Sequence, residues 1–128
     1  MSVGDVLWIP DARSGAHCWV LILERLDGKQ FVGVMLVSLK PHSDKTVVLL
    51  PGEHAFVIRE TSVDYGSATP MSAAKLAEWL ASGRAQQRDA MPADVIARIK
   101  RGALESSRTP NHVKDLMQES CPPSASDA

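Results

Sequence analysis

Residues 17–38, HCWVLILERLDGKQFVGVMLVS, carry the strongest fold signal in this sequence. Two apolar runs flank Asp27-Gly28, and an Asp-Gly pair in that position is the strongest short-range signal of a β-hairpin. The pattern predicts antiparallel strands at 17–25 and 30–38, with Gly33 marking a bend or bulge in the second strand.

Three further strands are predicted around this hairpin. GDVLWIP (4–10) precedes it, and KTVVLLP (45–51) and HAFVIRE (54–60) follow it. The connections are too short for parallel crossovers, which need a dozen residues or more. The sequence therefore predicts a small five-stranded antiparallel barrel over residues 3–65.

After residue 65 the apolar spacing becomes helical. Ser72 is the expected N-cap of a helix over 73–82 that ends at Gly83. A second helix is expected to begin near Pro92, and a third near Thr109-Pro110. The residues expected to face the core are Leu76, Trp79, Leu80, Val95, Ile96, Ile99 and Ala103.

The predicted fold class is thus α+β and mainly β, in a single domain over residues 3–119. It comprises the barrel at 3–65 and a helical part at 72–119, and residues 120–128 are expected to be a disordered tail. A chain of 128 residues fits one domain of this kind.

Composition narrows the class of protein further. With 45% hydrophobic and 23% charged residues, the chain is expected to be a soluble globular protein. The net charge of −1 gives no global attraction to nucleic acid or to an anionic membrane. Neither a signal peptide nor a membrane helix is predicted, so we expect a cytoplasmic location in which Cys18 and Cys121 remain free thiols.

Several kinds of site find no support in the sequence. It contains no phosphate-binding loop of the GxxxxGK[ST] type, no GxGxxG, no HExxH and no GxSxG. His42, Asp44 and His54 have no spacing that fixes a metal geometry. No metal and no cofactor are therefore predicted.

Two features remain with alternative interpretations. Between residues 84 and 114, seven basic residues face three acidic ones. This segment is either a solvated helix face or a surface for phosphate or an acidic partner. The residues assigned to that surface are Arg84, Arg88, Arg98, Lys100 and Arg101.

His17 is the second such feature. It begins a strand just after the loop that carries Arg13. A histidine there either exchanges a proton near neutral pH or is held by a nearby backbone group.

The order GDVLWIP, HCWVLIL, Asp-Gly, GVMLVSLK and KTVVLL, followed by MPADVIARIKRGALES, resembles the MazF/PemK toxins of bacterial toxin–antitoxin pairs. The resemblance covers about residues 3–106 and rests on a pattern of strands and one short opening motif. It implies an SH3-like barrel with helices laid against it.

The resemblance also implies a function and a set of partners. The family cuts single-stranded RNA without a metal, by attack of the ribose 2′-hydroxyl on the adjacent phosphate. Its members form homodimers and bind an antitoxin protein. The family's arginine and threonine positions fall here on His17 and Ser38. Arg13, in the loop before His17, is added as the source of the charge that a histidine cannot supply, so the predicted catalytic set is His17, Ser38 and Arg13.

His17 departs from the family pattern, because an imidazole lacks the permanent charge and the bidentate fork of arginine. Either the chemistry relies on histidine, or the barrel is a catalytically silent module that binds a protein or nucleic acid. A mobile-element accessory protein is a third interpretation.

Overall fold

The computed structural model describes residues 1–11, 15–54 and 57–120. The chain folds into an antiparallel sheet that carries three helices, which agrees with the predicted α+β, mainly β class. The elements of the described residues are β1 (Val6–Asp11), β2 (Gly15–Arg25), β3 (Gln30–Ser38), β4 (Val48–Leu49), β5 (Thr61–Ser72), α1 (Ala73–Ser82), β6 (Gln86–Arg88), α2 (Ala93–Glu105) and α3 (Asn111–Ser120).

The sheet corrects the predicted strand count. It has six strands in the order β4-β5-β3-β2-β1-β6, curled into a half-barrel, where the sequence predicted a five-stranded barrel. β4 and β6 form its two edges. β6 was missed because QQR is short, polar and exposed, so it has no apolar alternation to detect.

The predicted fifth strand at 54–60 is also wrong for its described residues. The N–H of Val57 donates to the carbonyl of His54 at 3.0 Å instead of to a neighbouring strand, and Ile58 is 75% exposed. Its place in the sheet is taken by β5, which pairs with β3 over most of its length. Gly66 and Pro70 have low strand propensity, so the local sequence of β5 does not favour a strand. Pairing with β3 overrides that local preference.

The central hairpin agrees with the sequence. β2 and β3 pair antiparallel, and Leu26, Asp27 and Gly28 all have positive φ in the turn between them. The β3–β5 register shifts between Gly33 and Met35, which confirms the irregularity expected at Gly33. A Cβ atom on Gly33 would lie 2.8 Å from Sδ of Met71, so a side chain at this position would require the end of the Met71 side chain to move.

Alternation along the strands gives the sheet two apolar faces. We call inner the face that carries Val20, Val34, Leu36 and Val63, on which α2 and α3 pack. We call outer the face that carries Leu7, Ile9, Leu21 and Phe31, on which α1 packs.

The helices confirm the predicted core positions. Val95, Ile96, Ile99 and Ala103 are buried, as is Leu76, while Trp79 and Leu80 are partly buried. Ser72 Oγ accepts from the N–H of Lys75 at 3.3 Å, and Gly83 ends α1 with a φ of 81°. Both caps of α1 are therefore where the sequence predicted them. Among the described residues, no helix combines the length and the apolar content needed to cross a membrane.

Candidate functional site

Two of the three predicted catalytic residues, His17 and Ser38, lie towards one end of the sheet. β1 and β3 end there, and β2 and β5 begin there, because neighbouring strands are antiparallel. Ser38 is the last residue of β3 and is exposed. His17 lies near the start of β2, and its side chain is half-buried. Arg13 lies outside the described residues.

A polar cleft of about 260 Å³ opens at this end of the sheet. Its walls come from the end of β3, the start of β5, the segment 39–47 that follows β3, and the link between α2 and α3. The lining residues are Val37, Ser38, Lys40, His42, Ser43, Asp44, Ser62, Asp64 and Arg108.

Asp44 fixes one wall of the cleft. Its carboxylate accepts hydrogen bonds from the N–H of Thr46 at 2.9 Å, from Oγ1 of Thr46 at 2.7 Å and from Oγ of Ser106 at 2.6 Å. Its backbone carbonyl accepts from Oγ of Ser62 at 2.5 Å. Asp44 thus connects the segment 39–47 to β5 and to the end of α2.

These contacts keep Asp44 ionised. Burial alone would raise the pKa of this carboxyl, which is only 6% exposed. The hydrogen bonds from Ser106 and Thr46, with the charge of Arg108, outweigh burial and hold the pKa of Asp44 below its ordinary value. A carboxylate with three donors is a structural anchor, with little capacity left to accept a proton from a substrate.

The same network orients Arg108. Oγ of Ser106 accepts from the N–H of Arg108 at 3.1 Å, and Nη1 of Arg108 donates to the carbonyl of His42 at 3.0 Å. Lys40 is held through its backbone, because its N–H donates to Oγ of Ser43 at 2.9 Å. The exposed side chains of Lys40, His42 and Arg108 therefore surround the cleft on an ordered support.

The structure does not bring His17 and Ser38 together as a pair. The pairing of β2 with β3 ends at Cys18 and Leu36, one residue before His17 on β2. His17 pairs with Ile9 of β1 on the outer face. Ser38 lines the cleft where β3 ends, whereas His17 is not one of the residues that line it.

The predicted basic surface is divided between several environments. The guanidinium carbon of Arg84 lies 5.0 Å from the ring centroid of Trp79, and that of Arg88 lies 5.6 Å from the centroid of Trp8. Nη2 of Arg98 lies 2.9 Å from Oε1 of Glu53, which pairs its charge. Lys100 is half-buried and Arg101 is exposed on α2.

Cys18 has the setting of a packing residue. Its half-buried side chain contacts the inner-face core. Burial raises the pKa of its thiol, and the nearby charge of Arg88 offsets only part of that effect. Cys121 lies outside the described residues, so the predicted free state of both thiols stays a prediction.

Metal ligands do not cluster in the part of the chain that is described. No group of three or more His, Cys, Asp or Glu side chains within it is placed to hold a metal ion. Compared with known proteins, the chain matches no family model and no curated protein.

Sequence reasoning placed Ser38 at this site but missed most of the cleft. Lys40, His42 and Asp44 lie in a segment with turn composition, and Arg108 lies 64 or more positions beyond them. No spacing rule connects such distant loops. The serines at 62 and 106 that hydrogen-bond Asp44 gave no signal, because serine is common in turns and at helix ends.

Proposed function

We propose that this protein is a metal-independent endoribonuclease of the MazF/PemK type, which cuts single-stranded RNA at the cleft beside Ser38. The observation that carries the proposal is the cleft itself. It brings the hydroxyl of Ser38, two permanent cations and the imidazole of His42 together with the carboxylates of Asp44 and Asp64 at the end of β3, where the family resemblance places the active site.

The cations supply the binding of a phosphodiester. Lys40 and Arg108 are exposed at the cleft, and Arg108 carries a planar fork suited to two phosphate oxygens. This fork supports the proposal because it replaces the charge that is lost where the family arginine falls on His17. The hydroxyl of Ser38 adds one neutral donor at the rim.

Two histidines provide candidates for the proton transfers. β3 lies between β5 and β2 in the sheet, so His17 on β2 lies to one side of its end. His42 lines the cleft from the segment that follows β3. Histidine exchanges protons near neutral pH, so one imidazole can accept the proton of the 2′-hydroxyl while the other protonates the leaving 5′-oxygen.

The chemistry then needs no covalent intermediate with the protein. The 2′-oxygen attacks the adjacent phosphorus, the bond to the 5′-oxygen breaks, and the products are a 2′,3′-cyclic phosphate and a free 5′-hydroxyl. Lys40 and Arg108 stabilise the charge that grows on the non-bridging oxygens.

A cleavage assay on a broad panel of fluorogenic single-stranded RNAs in the presence of EDTA tests this proposal. His17→Ala and His42→Ala are each expected to lower the rate about 10²–10⁴-fold, as the loss of a general acid or base does. Arg108→Gln is expected to lower it about 10²–10³-fold through the loss of charge stabilisation. His112→Ala, at an exposed position of α3 outside the cleft lining, is the matched control and keeps the full rate.

The outcomes separate the enzyme from the alternatives. Protein that binds RNA at the cleft without cutting any member of the panel supports the catalytically silent binding module. Full cleavage in both His17→Ala and His42→Ala keeps the enzyme and removes the proton carriers proposed here. A second copy of the chain and an antitoxin protein are the partners implied by the resemblance, and both stay predictions.

A further inference from the structure

We propose that Trp8 and Arg88 form a stacking subsite for an unpaired base of a single-stranded nucleic acid that lies across the cleft. This inference rests on the proposed function for the identity of the ligand. It adds a second surface, on the inner face of the sheet, which the cleft does not include.

The register brings Trp8 close to the cleft. Trp8 pairs with Cys18, and Cys18 pairs with Leu36, so the three share the inner face on adjacent strands. Ser38 follows Leu36 by two residues on β3. The Cα atoms of Trp8 and Ser38 are separated by two spacings between strands, from β1 to β3, and by the rise of two residues along β3. This corresponds to about 12 Å, which a nucleotide next to the one in the cleft can reach.

The side chains at this position suit a base. The indole of Trp8 is only partly buried, and the exposed guanidinium of Arg88 lies 5.6 Å from its centroid. Proteins that bind single strands combine aromatic rings, on which bases stack, with arginines that contribute both charge and a stacking plane.

The edge strand makes this subsite accessible. β6 is the last strand of the sheet, and its residues Gln86, Gln87 and Arg88 are all exposed. Trp8 pairs directly with Gln86. A strand of nucleic acid can therefore leave the cleft over the ends of β3 and β2 and reach Trp8 from the open side of β6.

The chain contains a matched control for this subsite. Arg84 stacks on Trp79 with nearly the same geometry, at 5.0 Å. That pair lies on the outer face of the sheet: Trp79 packs against the outer-face core, and its carbonyl accepts from the N–H of Ala85, a member of that core, at 3.0 Å. The sheet separates it from the inner face that Trp8 shares with Cys18 and Leu36, so it predicts no contact with a nucleic acid that runs along the inner face.

The test is the binding of a fluorescein-labelled single-stranded DNA eight nucleotides long, followed by anisotropy. This probe lacks the 2′-hydroxyl, so it reports binding without cleavage. Trp8→Ala is expected to weaken binding about 5- to 150-fold, the range for the loss of one stacked base. Trp8→Phe is expected to retain most of the affinity, and Arg88→Gln to lose part of it.

Arg88→Gln keeps the test valid if Trp8→Ala does not fold, because Arg88 is exposed on an edge strand. Trp79→Ala and Arg84→Gln are expected to bind within about twofold of the wild type. In a variant that keeps Trp8 as its only tryptophan, with Trp19 and Trp79 changed to Phe, the DNA is expected to quench the indole fluorescence.

Wild-type affinity in both Trp8→Ala and Arg88→Gln overturns the subsite, as does an equal loss in the Trp79 and Arg84 variants. Failure of the wild type to bind the probe overturns it as well. RNA cleavage with no role for Trp8 removes this inference alone. Binding that depends on Trp8, with no RNA cleaved, removes the proposed reaction and leaves the subsite.

Discussion

Among single residues, Asp44 determines how the cleft is held together. Because hydrogen bonds lower the pKa of its carboxyl in the folded chain, the folded state gains stability above the ordinary carboxyl range. That gain is lost as the pH falls through this range towards the lower pKa of the folded protein.

Asp44→Asn is expected to lower the free energy of unfolding by about 1–3 kcal/mol at pH 7. Ser106 donates to Oδ2 of Asp44 and Thr46 to Oδ1, and the Nδ2 of asparagine that replaces one of these oxygens cannot accept a hydrogen bond. The difference from the wild type should shrink as the pH falls below about 4. Urea unfolding from pH 3 to pH 7 measures it, with the exposed Asp115→Asn as control. A difference that does not vary with pH contradicts this role for the carboxylate.

Gly102 shows how closely α2 approaches the sheet. A Cβ atom at this position would lie 2.6 Å from Cγ2 of Val47 and would overlap the hydroxyl of Tyr65, which donates to the carbonyl of Ile99 at 2.8 Å. Both neighbouring side chains are buried, so neither can move freely.

Gly102→Ala is therefore expected to destabilise the protein by up to about 2 kcal/mol, because the overpacking cost of about 1–3 kcal/mol outweighs the gain in helix propensity of about 1 kcal/mol. Thermal unfolding measures the change. Gly66→Ala is the control, because its Cβ would meet its nearest neighbour, Oδ1 of Asp64, at 3.5 Å, an ordinary contact distance. A stabilised Gly102→Ala protein would show that α2 lies farther from Tyr65.

The site residues that could be predicted from the sequence are those with a chemical signal or a matching position in the family. The site residues that tertiary contacts bring together could not be predicted. Ser38 was assigned to the site by the resemblance to the MazF/PemK toxins, whose threonine position falls on it. Arg108 could not be assigned from the sequence, because its place in the cleft depends on the Asp44–Ser106 contact between distant segments. His17 was identified as a candidate proton carrier, but the strand pairing places it opposite Ile9 and not among the residues that line the cleft.

Among the elements, α2 contributes the helix face that covers the inner side of the sheet. Ile99 is fully buried at the centre of this face and belongs to the inner-face core. Ile99→Ala is expected to cost about 2–5 kcal/mol of stability, from lost burial and the cavity left behind. Arg101→Ala, exposed on the same helix, should change the stability by less than about 0.5 kcal/mol. Equal denaturant midpoints for the two variants would mean that α2 packs through another face.

The elements predicted correctly are those whose ends are marked by capping or turn residues in the sequence. α1 begins and ends as expected because Ser72 and Gly83 satisfy its terminal backbone groups. β3 has the predicted bounds because the Asp-Gly turn fixes its start. β5 was misplaced because its strand conformation depends on pairing with β3, while HAFVIRE has β-forming composition but no strand partner over its described residues.

For the whole molecule, the curled sheet brings together residues that the sequence keeps apart. The start of β2, the end of β3 and the start of β5 meet at one end, and the α2–α3 link closes the cleft there. The fold class followed from composition and spacing, whereas the six-strand order required the pairing of β6 with β1. We propose that this assembled cleft cuts RNA by attack of the 2′-hydroxyl.

The most direct measurement is the analysis of product ends from single-stranded RNA incubated with the protein in EDTA. We expect a 2′,3′-cyclic phosphate on one fragment and a 5′-hydroxyl on the other, and no cut where the nucleotide before the scissile bond is 2′-deoxy. The same RNA with the His17→Ala/His42→Ala double variant should remain intact. A 5′-phosphate product, cleavage at the 2′-deoxy position, or intact RNA with the wild type would each contradict the claim.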